Sequence, residues 1–185
     1  MKQYKHNAYI VTGGPGAGKT SVLDVLEQQP GCLVIPEVAR AIIREQMAGG
    51  GEALPWRDTL LYKQIMAEQT IQAFHAAPDT TCFFDRGIPD VIAYGKLIDA
   101  PQDEALQEAA LNCRCNQQVF IFPPWKEIYT TDTERKQDFT EAVATYHILK
   151  ETYMECGYEV IEVPIGPVQQ RAAFIMHRVE INRNM

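Results

Sequence analysis

The sequence predicts a three-layer α/β fold, in which helices cover both faces of a five-stranded parallel sheet. Two observations lead to this prediction. Five short runs of β-branched and aromatic residues alternate with helix-like segments, and a glycine-rich loop joins the first run to the first of these segments. Strands that alternate with helices favour a parallel sheet, whose ligands bind at the carboxyl ends of the strands.

The first half of the chain begins with the strand and the helix that flank the glycine-rich loop. Residues 8–12 are β-branched and aromatic, and residues 20–27 place valine and leucine at helical spacing. A proline and a glycine precede a short apolar strand at 32–35, and a helix at 37–47 follows it. Three glycines break that helix, and the segment 55–76 has the helical periodicity of an element that covers the sheet.

The second half repeats this alternation. Residues 81–85 form the third predicted strand, and helical segments at 89–98 and 103–112 lead to the fourth strand at 119–122. After a charged segment, the remaining predicted elements are a helix at 138–153, a strand at 159–163 and a terminal helix from 168 to about 181. The 185 residues fit a single domain.

The glycine-rich loop matches the phosphate-binding motif GxxxxGK[ST] completely. Its members are Gly13, Gly14, Pro15, Gly16, Ala17, Gly18, Lys19 and Thr20. The glycines let backbone N–H groups wrap a polyphosphate, Lys19 supplies a positive charge for the β- and γ-phosphates, and the Thr20 hydroxyl binds the Mg²⁺ that bridges them. With Ser21 directly behind it, the motif predicts a P-loop NTPase fold that binds a nucleoside triphosphate and Mg²⁺.

Charged residues follow the second predicted strand. Glu37 comes at the carboxyl end of that strand, and Arg40 and Arg44 lie roughly along one face of the following helix. Glu37 is predicted to act as a general base, and the two arginines are predicted to bind a polar acceptor. The alternative is that Glu37 complements the helix dipole while the arginines form a solvated surface.

A carboxylate and a guanidinium group end the third predicted strand. Asp85 follows the apolar residues 82–84, a pattern typical of the acid near Mg²⁺ in P-loop proteins, and it is also placed to orient an acceptor hydroxyl. Arg86 is predicted to offset phosphate charge. The alternative is a strand-terminal aspartate that makes a turn with Gly87.

The polar segment 124–137 is a candidate lid. Its cations include Lys126, Arg135 and Lys136, and Arg135 is predicted to close over the transferring phosphoryl group and exclude water. A solvated charged loop explains the same residues, so both interpretations stay open at this point.

Four aromatic residues of the helical segments offer ring faces for an acceptor. They are Trp56, Tyr62, Phe74 and Tyr94. Their helical spacing favours core packing for most of them, so none is assigned to the site.

The composition restricts the partners of the chain. A net charge of −7 gives no global attraction for nucleic acid and weighs against such a partner. No run approaches the roughly 20 apolar residues needed to span a bilayer, and no apolar signal segment begins the chain. We therefore expect a cytoplasmic protein without a membrane partner, and the sequence is compatible with a homodimer.

Three motifs occur in order along the chain, namely the P-loop at 13–20, PEVAR at 36–40 and FDRG at 84–87. With them the chain resembles the small P-loop kinase-like "AAA domain" proteins, which are related to nicotinamide riboside kinase and to nucleoside and nucleotide kinases. The resemblance spans nearly the whole chain. It implies a five-stranded parallel sheet and a lid between the fourth strand and the penultimate helix.

The resemblance also implies roles for individual residues. In deoxynucleoside kinases a glutamate after the second strand serves as base, and Glu37 is similar in position. An acid–arginine pair after the third strand helps to bind substrate there, and Asp85 and Arg86 are similar in position. The lid differs, because such kinases often carry several arginines there and this chain has only Arg135 beside Lys136.

The leading functional prediction is ATP-dependent phosphoryl transfer to a small-molecule acceptor with a hydroxyl or phosphate group, such as a nucleoside or nucleotide. The alternative is an ATP-binding switch or slow ATPase that acts through a protein partner. The sequence argues against an AAA motor, because Arg86 stands where such motors place a water-polarising glutamate. It argues against a GTPase, because no NKxD-type guanine motif is present.

Overall fold

The computed structural model describes residues 2–129 and 139–183. In chain order its strands are β1 (Gln3–Tyr4), β2 (Ala8–Gly13), β3 (Cys32–Ile35), β4 (Thr81–Asp85), β5 (Cys113–Arg114), β6 (Gln118–Phe122) and β7 (Glu159–Glu162). Its helices are α1 (Lys19–Glu27), α2 (Val38–Gly49), α3 (Thr59–Ala76), α4 (Ile88–Leu97), α5 (Glu104–Asn112), α6 (Phe139–Glu155) and α7 (Val168–Arg183). A short 3-10 turn, Lys126–Ile128, follows β6.

Five strands form one sheet in the order β3-β4-β2-β6-β7, and every neighbouring pair is parallel. The predicted three-layer α/β fold is therefore confirmed. Each of the five predicted strands is present, and each end agrees to within one residue. The sequence analysis missed the two-residue parallel ladder between β1 and β5, because two residues carry no periodic signal.

The largest difference in a helix boundary occurs at the start of α3. Periodicity predicts a helix from residue 55, but α3 begins at Thr59. The Asp58 carboxylate caps the helix there by accepting a hydrogen bond from the backbone N–H of Leu61 at 2.9 Å. A capping aspartate fixes a helix start more firmly than hydrophobic spacing does.

Helices on both faces of the sheet create two hydrophobic cores. Alternate residues of β2 enter opposite cores, since Ile10 packs with residues of α3, α4 and α6, whereas Val11 packs with residues of α1 and α7. The whole of β2 is buried, as expected for the central strand of a sheet covered on both faces.

The carboxyl ends of three adjacent strands place the predicted site at one edge of the sheet. Strand β2 leads into the phosphate loop, β3 leads to Glu37, and β4 ends at Asp85 and continues to Arg86. Because these strands are parallel neighbours, their carboxyl ends meet at the same edge. Across the described residues, every helix falls short of the length and apolarity that a bilayer-spanning helix requires.

Candidate active site

The phosphate loop uses backbone conformations that favour glycine. Gly13 has a φ of 140°, and a Cβ atom there would lie 2.6 Å from the carbonyl oxygen of Phe122 on the neighbouring strand. Gly18 has a φ of 76°, and a Cβ atom there would lie 2.9 Å from Nη2 of Arg171. A side chain at either position would strain or displace the loop. The motif glycines are therefore required by the path of the loop itself.

The start of α1 leaves backbone N–H groups open. Gly18 is the N-cap residue, and no side chain of the described residues caps this helix. Thr20 and Ser21 in the first turn are exposed. Open N–H groups and the positive end of the helix dipole favour an anion at this position. The loop and α1 together provide the backbone of a phosphate site.

The ammonium group of Lys19 is buried against the loop. Its Nζ donates to the carbonyl oxygens of Gly13 at 2.9 Å and Gly14 at 3.0 Å. Burial, reinforced by Arg86, lowers the pKa of Lys19 to about 8, although nearby carboxylates, led by Asp85, act in the opposite direction. These two bonds leave one N–H of the ammonium group for a further acceptor, and a phosphate oxygen bound there would favour the charged form of Lys19.

Glu37 and Arg86 form a partly buried ion pair beyond the ends of β3 and β4. The Arg86 Nε donates to Glu37 Oε1 at 2.6 Å, and the Arg40 Nε donates to Glu37 Oε2 at 3.2 Å. Burial acts to raise the pKa of Glu37, but Arg86, Lys19 and Arg40 together hold it below its ordinary value. Glu37 is therefore ionised at neutral pH and oriented by two arginines.

Asp90, in the first turn of α4, fixes the position of Arg86. Its Oδ1 accepts hydrogen bonds from Thr12 Oγ1 at 2.6 Å and Arg86 Nη1 at 3.0 Å. Its Oδ2 accepts from the Gly87 N–H at 2.8 Å and from the Tyr153 hydroxyl. The carboxylate is 7% exposed and has filled about four acceptor sites, which is its capacity. Asp90 thus positions the Arg86 side chain and has no acceptor site left for a substrate.

The backbone at Arg86 is unusual. Arg86 has a φ of 76°, in the left-handed region that residues with a Cβ rarely adopt. Its N–H donates to the carbonyl oxygen of Val11 at 3.0 Å, and the next N–H, that of Gly87, donates to Asp90. Such strained residues persist where surrounding contacts fix them, and they cluster at functional sites.

Asp85 presents a carboxylate oxygen that lacks a partner. Its Oδ1 is buried and has no hydrogen-bond partner among the described residues. Burial raises the pKa of Asp85, while Lys19 and Arg86 act to lower it. A buried oxygen of this kind is costly unless a ligand satisfies it, and Mg²⁺ prefers such donors. The exposed hydroxyl of Thr20 is a second oxygen donor, so the residues present fit a magnesium site.

A cavity of about 230 Å³ lies beside the Glu37–Arg86 pair, between α2, α3, α4 and α6. We call it the helix-lined cavity. Glu37, Arg40, Arg86 and Asp90 supply its charged wall, and most of the remaining wall is apolar or aromatic. Tyr62 and Tyr94 both line it, with their ring centroids 5.7 Å apart in an edge-on arrangement. The cavity therefore suits a compact molecule with one polar end.

A second cavity, of about 430 Å³, borders the later part of the phosphate loop. We call it the loop cavity. Residues 16–21 line it together with Trp125, Pro167 and Arg171. Pro15, in contrast, lines the helix-lined cavity. The phosphate loop therefore lies between the two cavities.

Comparison with known proteins places this arrangement in a family. The family model described as "AAA domain" matches residues 8–171, which include the phosphate loop and all five strands of the main sheet. The chain belongs to the AAA domain family. No curated protein sequence matches this AAA domain chain.

Solved structures share the fold of the AAA domain chain. NadR in complex with NR superposes with a TM-score of 0.71 at 16% identity, over 96% of this chain and 51% of NadR, so the chain spans about half the length of NadR. Deoxyadenosine kinase from M. mycoides gives a TM-score of 0.58 at 14% identity, over 94% of this chain and 98% of the kinase. Shikimate kinase from Acinetobacter baumannii gives a TM-score of 0.56 at 15% identity, over 95% of this chain and 93% of that kinase. These similarities establish a P-loop kinase fold.

Several predicted site residues of the AAA domain chain lie away from the Glu37–Arg86 ion pair. Arg44 is exposed on α2 and does not line the helix-lined cavity. Lys126 is exposed in the 3-10 turn. Arg135 and Lys136, together with most of the candidate lid 124–137, lie outside the described residues, so the lid remains a prediction.

The four aromatic residues that could face an acceptor differ in their surroundings. Phe74 packs in the hydrophobic core, as its helical spacing favours, whereas Trp56 is 58% exposed. Tyr62 is 4% exposed in the same core, and Tyr94 packs against that core, so core packing is confirmed for three of the four residues. Tyr62 and Tyr94 also line the helix-lined cavity.

Sequence reasoning missed Asp90 and Arg171. The signal for Asp90 is an acid in the first turn of α4, three residues after Gly87, and this pattern is also typical of a helix cap. Arg171 lies on the terminal helix, and no motif surrounds it. Only the folded chain brings its Nη1 to within 3.1 Å of the carbonyl oxygen of Ala17 in the phosphate loop.

Proposed function

We propose that this chain transfers a phosphoryl group from ATP to a small-molecule acceptor. The observation that supports this proposal is the position of the phosphate loop between two cavities, with four charged groups gathered beside it. They are Lys19, Glu37, Asp85 and Arg86. A nucleotide in the loop cavity and an acceptor in the helix-lined cavity would bring the reacting groups together, and such positioning supplies most of the catalysis in phosphoryl transfer.

The phosphate loop would bind the triphosphate of ATP. Open N–H groups at the start of α1 would donate to phosphate oxygens, and the remaining N–H of the Lys19 ammonium group would donate to the β- and γ-phosphates. Asp85 and Thr20 are the residues that would hold Mg²⁺, and the ion, when bound, neutralises charge on the transferring group.

Glu37 would orient the acceptor. Its pKa is held below the ordinary value, so it is a weak base at neutral pH but a good acceptor of a hydrogen bond from a hydroxyl group. Phosphoryl transfer passes through a loose transition state, in which the attacking hydroxyl need not lose its proton early. We therefore assign Glu37 first to orienting the hydroxyl and then to receiving its proton.

Arg86 would stabilise the transferring group. Its Nε and Nη1 are occupied by Glu37 and Asp90, and its Nη2 has no hydrogen-bond partner among the described residues. A free N–H of a fixed guanidinium group can donate to phosphoryl oxygens as negative charge develops on them. Arg40, whose Nε contacts Glu37, would bind a polar group of the acceptor from the same side.

The helix-lined cavity indicates the kind of acceptor. One wall is charged, and the rest offers two tyrosine rings and apolar side chains, so we infer an acceptor with a hydroxyl or phosphate group on a ring or other apolar body. The similar structures hold NR in NadR and dCMP in deoxyadenosine kinase. These two ligands motivate nucleosides and nucleotides as the first acceptors to test.

The experiment that tests this function measures ADP release from Mg-ATP with and without each member of an acceptor panel. We expect one acceptor class to stimulate release, and we expect Glu37→Gln to lower that stimulated rate about 10- to 100-fold with little change in ATP affinity. Glu45→Gln is the matched control, because Glu45 is exposed on α2, beyond the first two turns. An unchanged stimulated rate in Glu37→Gln would remove Glu37 from the reaction.

A further inference from the structure

The Tyr129 ring lies against the middle of the phosphate loop. A Cβ atom at Gly16 would lie 2.6 Å from Cδ2 and 2.9 Å from Cε2 of that ring, well inside the roughly 3.5–4.0 Å at which carbon atoms pack. The ring therefore packs on the bare Cα of Gly16, and only glycine leaves room for it. Ile128, in the preceding 3-10 turn, lies against Gly18 in the same way, since a Cβ atom there would be 3.1 Å from its Cδ1.

A second aromatic ring supports Tyr129. The ring centroids of Tyr129 and Phe139 are 5.5 Å apart with an interplanar angle of 78°, the edge-to-face arrangement that aromatic pairs prefer. Phe139 is the first residue of α6, so this contact joins the two residues that flank the segment 130–138 in the chain. We call this pair the aromatic clasp.

Helix α6 holds the clasp in place. Ala142 in its first turn is 1% exposed, and a Cβ atom at Gly14 would lie 2.8 Å from the Ala142 carbonyl oxygen, so this turn also packs on the phosphate loop. Further along α6, the Tyr153 hydroxyl donates to the buried carboxylate of Asp90. The clasp therefore connects the middle of the phosphate loop to a helix that is fixed at both ends.

The composition of the loop explains why such a support matters. Gly16 has a φ of 70°, and glycine samples more backbone conformations than any other residue. The loop N–H groups can converge on an anion only when these residues are ordered, and ordering them costs entropy. A ring already packed on Gly16 reduces that cost, because it holds the loop in one conformation before a ligand binds.

We propose that Tyr129, supported by Phe139, positions the phosphate loop for polyphosphate binding. This inference rests on the proposed function, in which the loop binds the triphosphate of ATP. Tyr129 does not line the loop cavity, so its ring acts on the backbone of Gly16 and not on the nucleotide itself. Tyr129 is therefore a positioning residue.

Two other roles of the ring make different predictions. A ring that stacked on the nucleoside would strengthen ATP binding alone, since inorganic tripolyphosphate has no nucleoside. A ring that only stabilised the fold would raise the Tm and leave the Kd values of the folded chain unchanged. A ring that positions the loop strengthens both ligands by the same factor, because both use the same loop N–H groups.

The test is calorimetric titration of the full chain with Mg-ATP and with magnesium tripolyphosphate, well below the Tm of each variant. We expect Tyr129→Ala to raise both Kd values by about tenfold, which corresponds to the ordering of roughly one further residue on binding. Tyr129→Phe should keep both values close to those of the parent protein, because ring carbons make the contact with Gly16. Tyr4→Ala is the matched control, because Tyr4 also pairs with an aromatic ring, that of His6, but precedes the amino end of β2, opposite the phosphate loop.

The clasp also predicts that Phe139 acts through Tyr129. Phe139→Leu should raise both Kd values by a common but smaller factor in the parent protein, and it should add nothing in the Tyr129→Ala background. Phe139→Leu also carries the test if Tyr129→Ala does not fold.

Each outcome decides the proposal. Equal rises in both Kd values in Tyr129→Ala, with Tyr129→Phe and Tyr4→Ala close to the parent protein, support it. A rise for ATP alone, unchanged Kd values, or a Tyr129→Phe variant as weak as Tyr129→Ala overturns it, and so does a further loss from Phe139→Leu in the Tyr129→Ala background. A parent protein that binds neither ligand overturns polyphosphate binding itself, which is the failure of the proposed function.

Discussion

At the scale of single residues, burial and neighbouring charges set the protonation states of Lys19 and Glu37. Lys19 is buried near Arg86, and both effects lower its pKa, whereas Glu37 is held ionised by the same Arg86 with help from Arg40. One guanidinium group therefore favours a neutral lysine and a charged glutamate. A bound triphosphate reverses the first effect, because its negative charge favours the ammonium form.

The lowered pKa of Lys19 predicts that ATP binding takes up a proton in alkaline solution. Above about pH 8 the ligand-free lysine is largely neutral, and ATP binds the ammonium form, so affinity should fall by up to about tenfold per pH unit. Calorimetry at about pH 9 in two buffers of different ionisation enthalpy should show this uptake, which should be absent near pH 7. The Lys19→Arg variant stays charged and is the control. Equal heats in both buffers at pH 9 would contradict the assignment.

The same pKa affects folding in the opposite direction. The pKa of Lys19 is about 8 in the folded chain and has its ordinary value of 10.5 in the unfolded chain. Between about pH 8 and pH 10.5 the unfolded chain therefore binds more protons at Lys19 than the folded chain does. The contribution of Lys19 to the free energy of unfolding therefore rises with pH across this window, while ATP affinity falls. Below this window the buried Lys19 therefore carries a cost to stability, as expected if its role is the proposed binding of ATP.

At the scale of elements, Asp90 joins three pieces of secondary structure around the site. Its carboxylate accepts from Thr12 on β2, from the Gly87 N–H that begins α4, and from Tyr153 on α6. It also accepts from Arg86, directly after β4. This network therefore ties α6, through Tyr153, to the strand that leads into the phosphate loop.

We predict that Asp90→Asn destabilises the fold by about 2–4 kcal/mol, because one acceptor oxygen becomes an NH₂ group that faces two donors and Arg86 loses its buried partner. Tyr153→Phe removes one of the four hydrogen bonds and should cost about 1 kcal/mol. Urea unfolding measures both values. Equal losses in the two variants would mean that the carboxylate is not the centre of the network.

At the scale of the whole molecule, the sequence predicts the sheet because strand and helix signals alternate and glycine and proline separate them. It also predicts the phosphate loop, Glu37, Asp85 and Arg86, because each stands at the carboxyl end of a recognisable strand. It does not predict Asp90 as a partner of Arg86.

The contacts that sequence reasoning could not supply join distant parts of the chain. The Tyr153–Asp90 hydrogen bond spans 63 positions, and the Arg171–Ala17 hydrogen bond spans 154. No local pattern marks either contact, since hydrophobic periodicity and turn residues report only on neighbours. The helix-lined cavity has the same origin, because four helices from separate parts of the chain build it.

We propose that the whole molecule transfers a phosphoryl group from a nucleotide in the loop cavity to an acceptor in the helix-lined cavity, with the phosphate loop between them. The most direct test is to incubate the chain with Mg-ATP and each acceptor and to measure both ADP and the mass of the acceptor. The proposal predicts an acceptor that is heavier by one phosphoryl group, formed in the same amount as ADP. ADP formed together with an equal amount of free phosphate, and an acceptor of unchanged mass, would contradict phosphoryl transfer and indicate an ATPase.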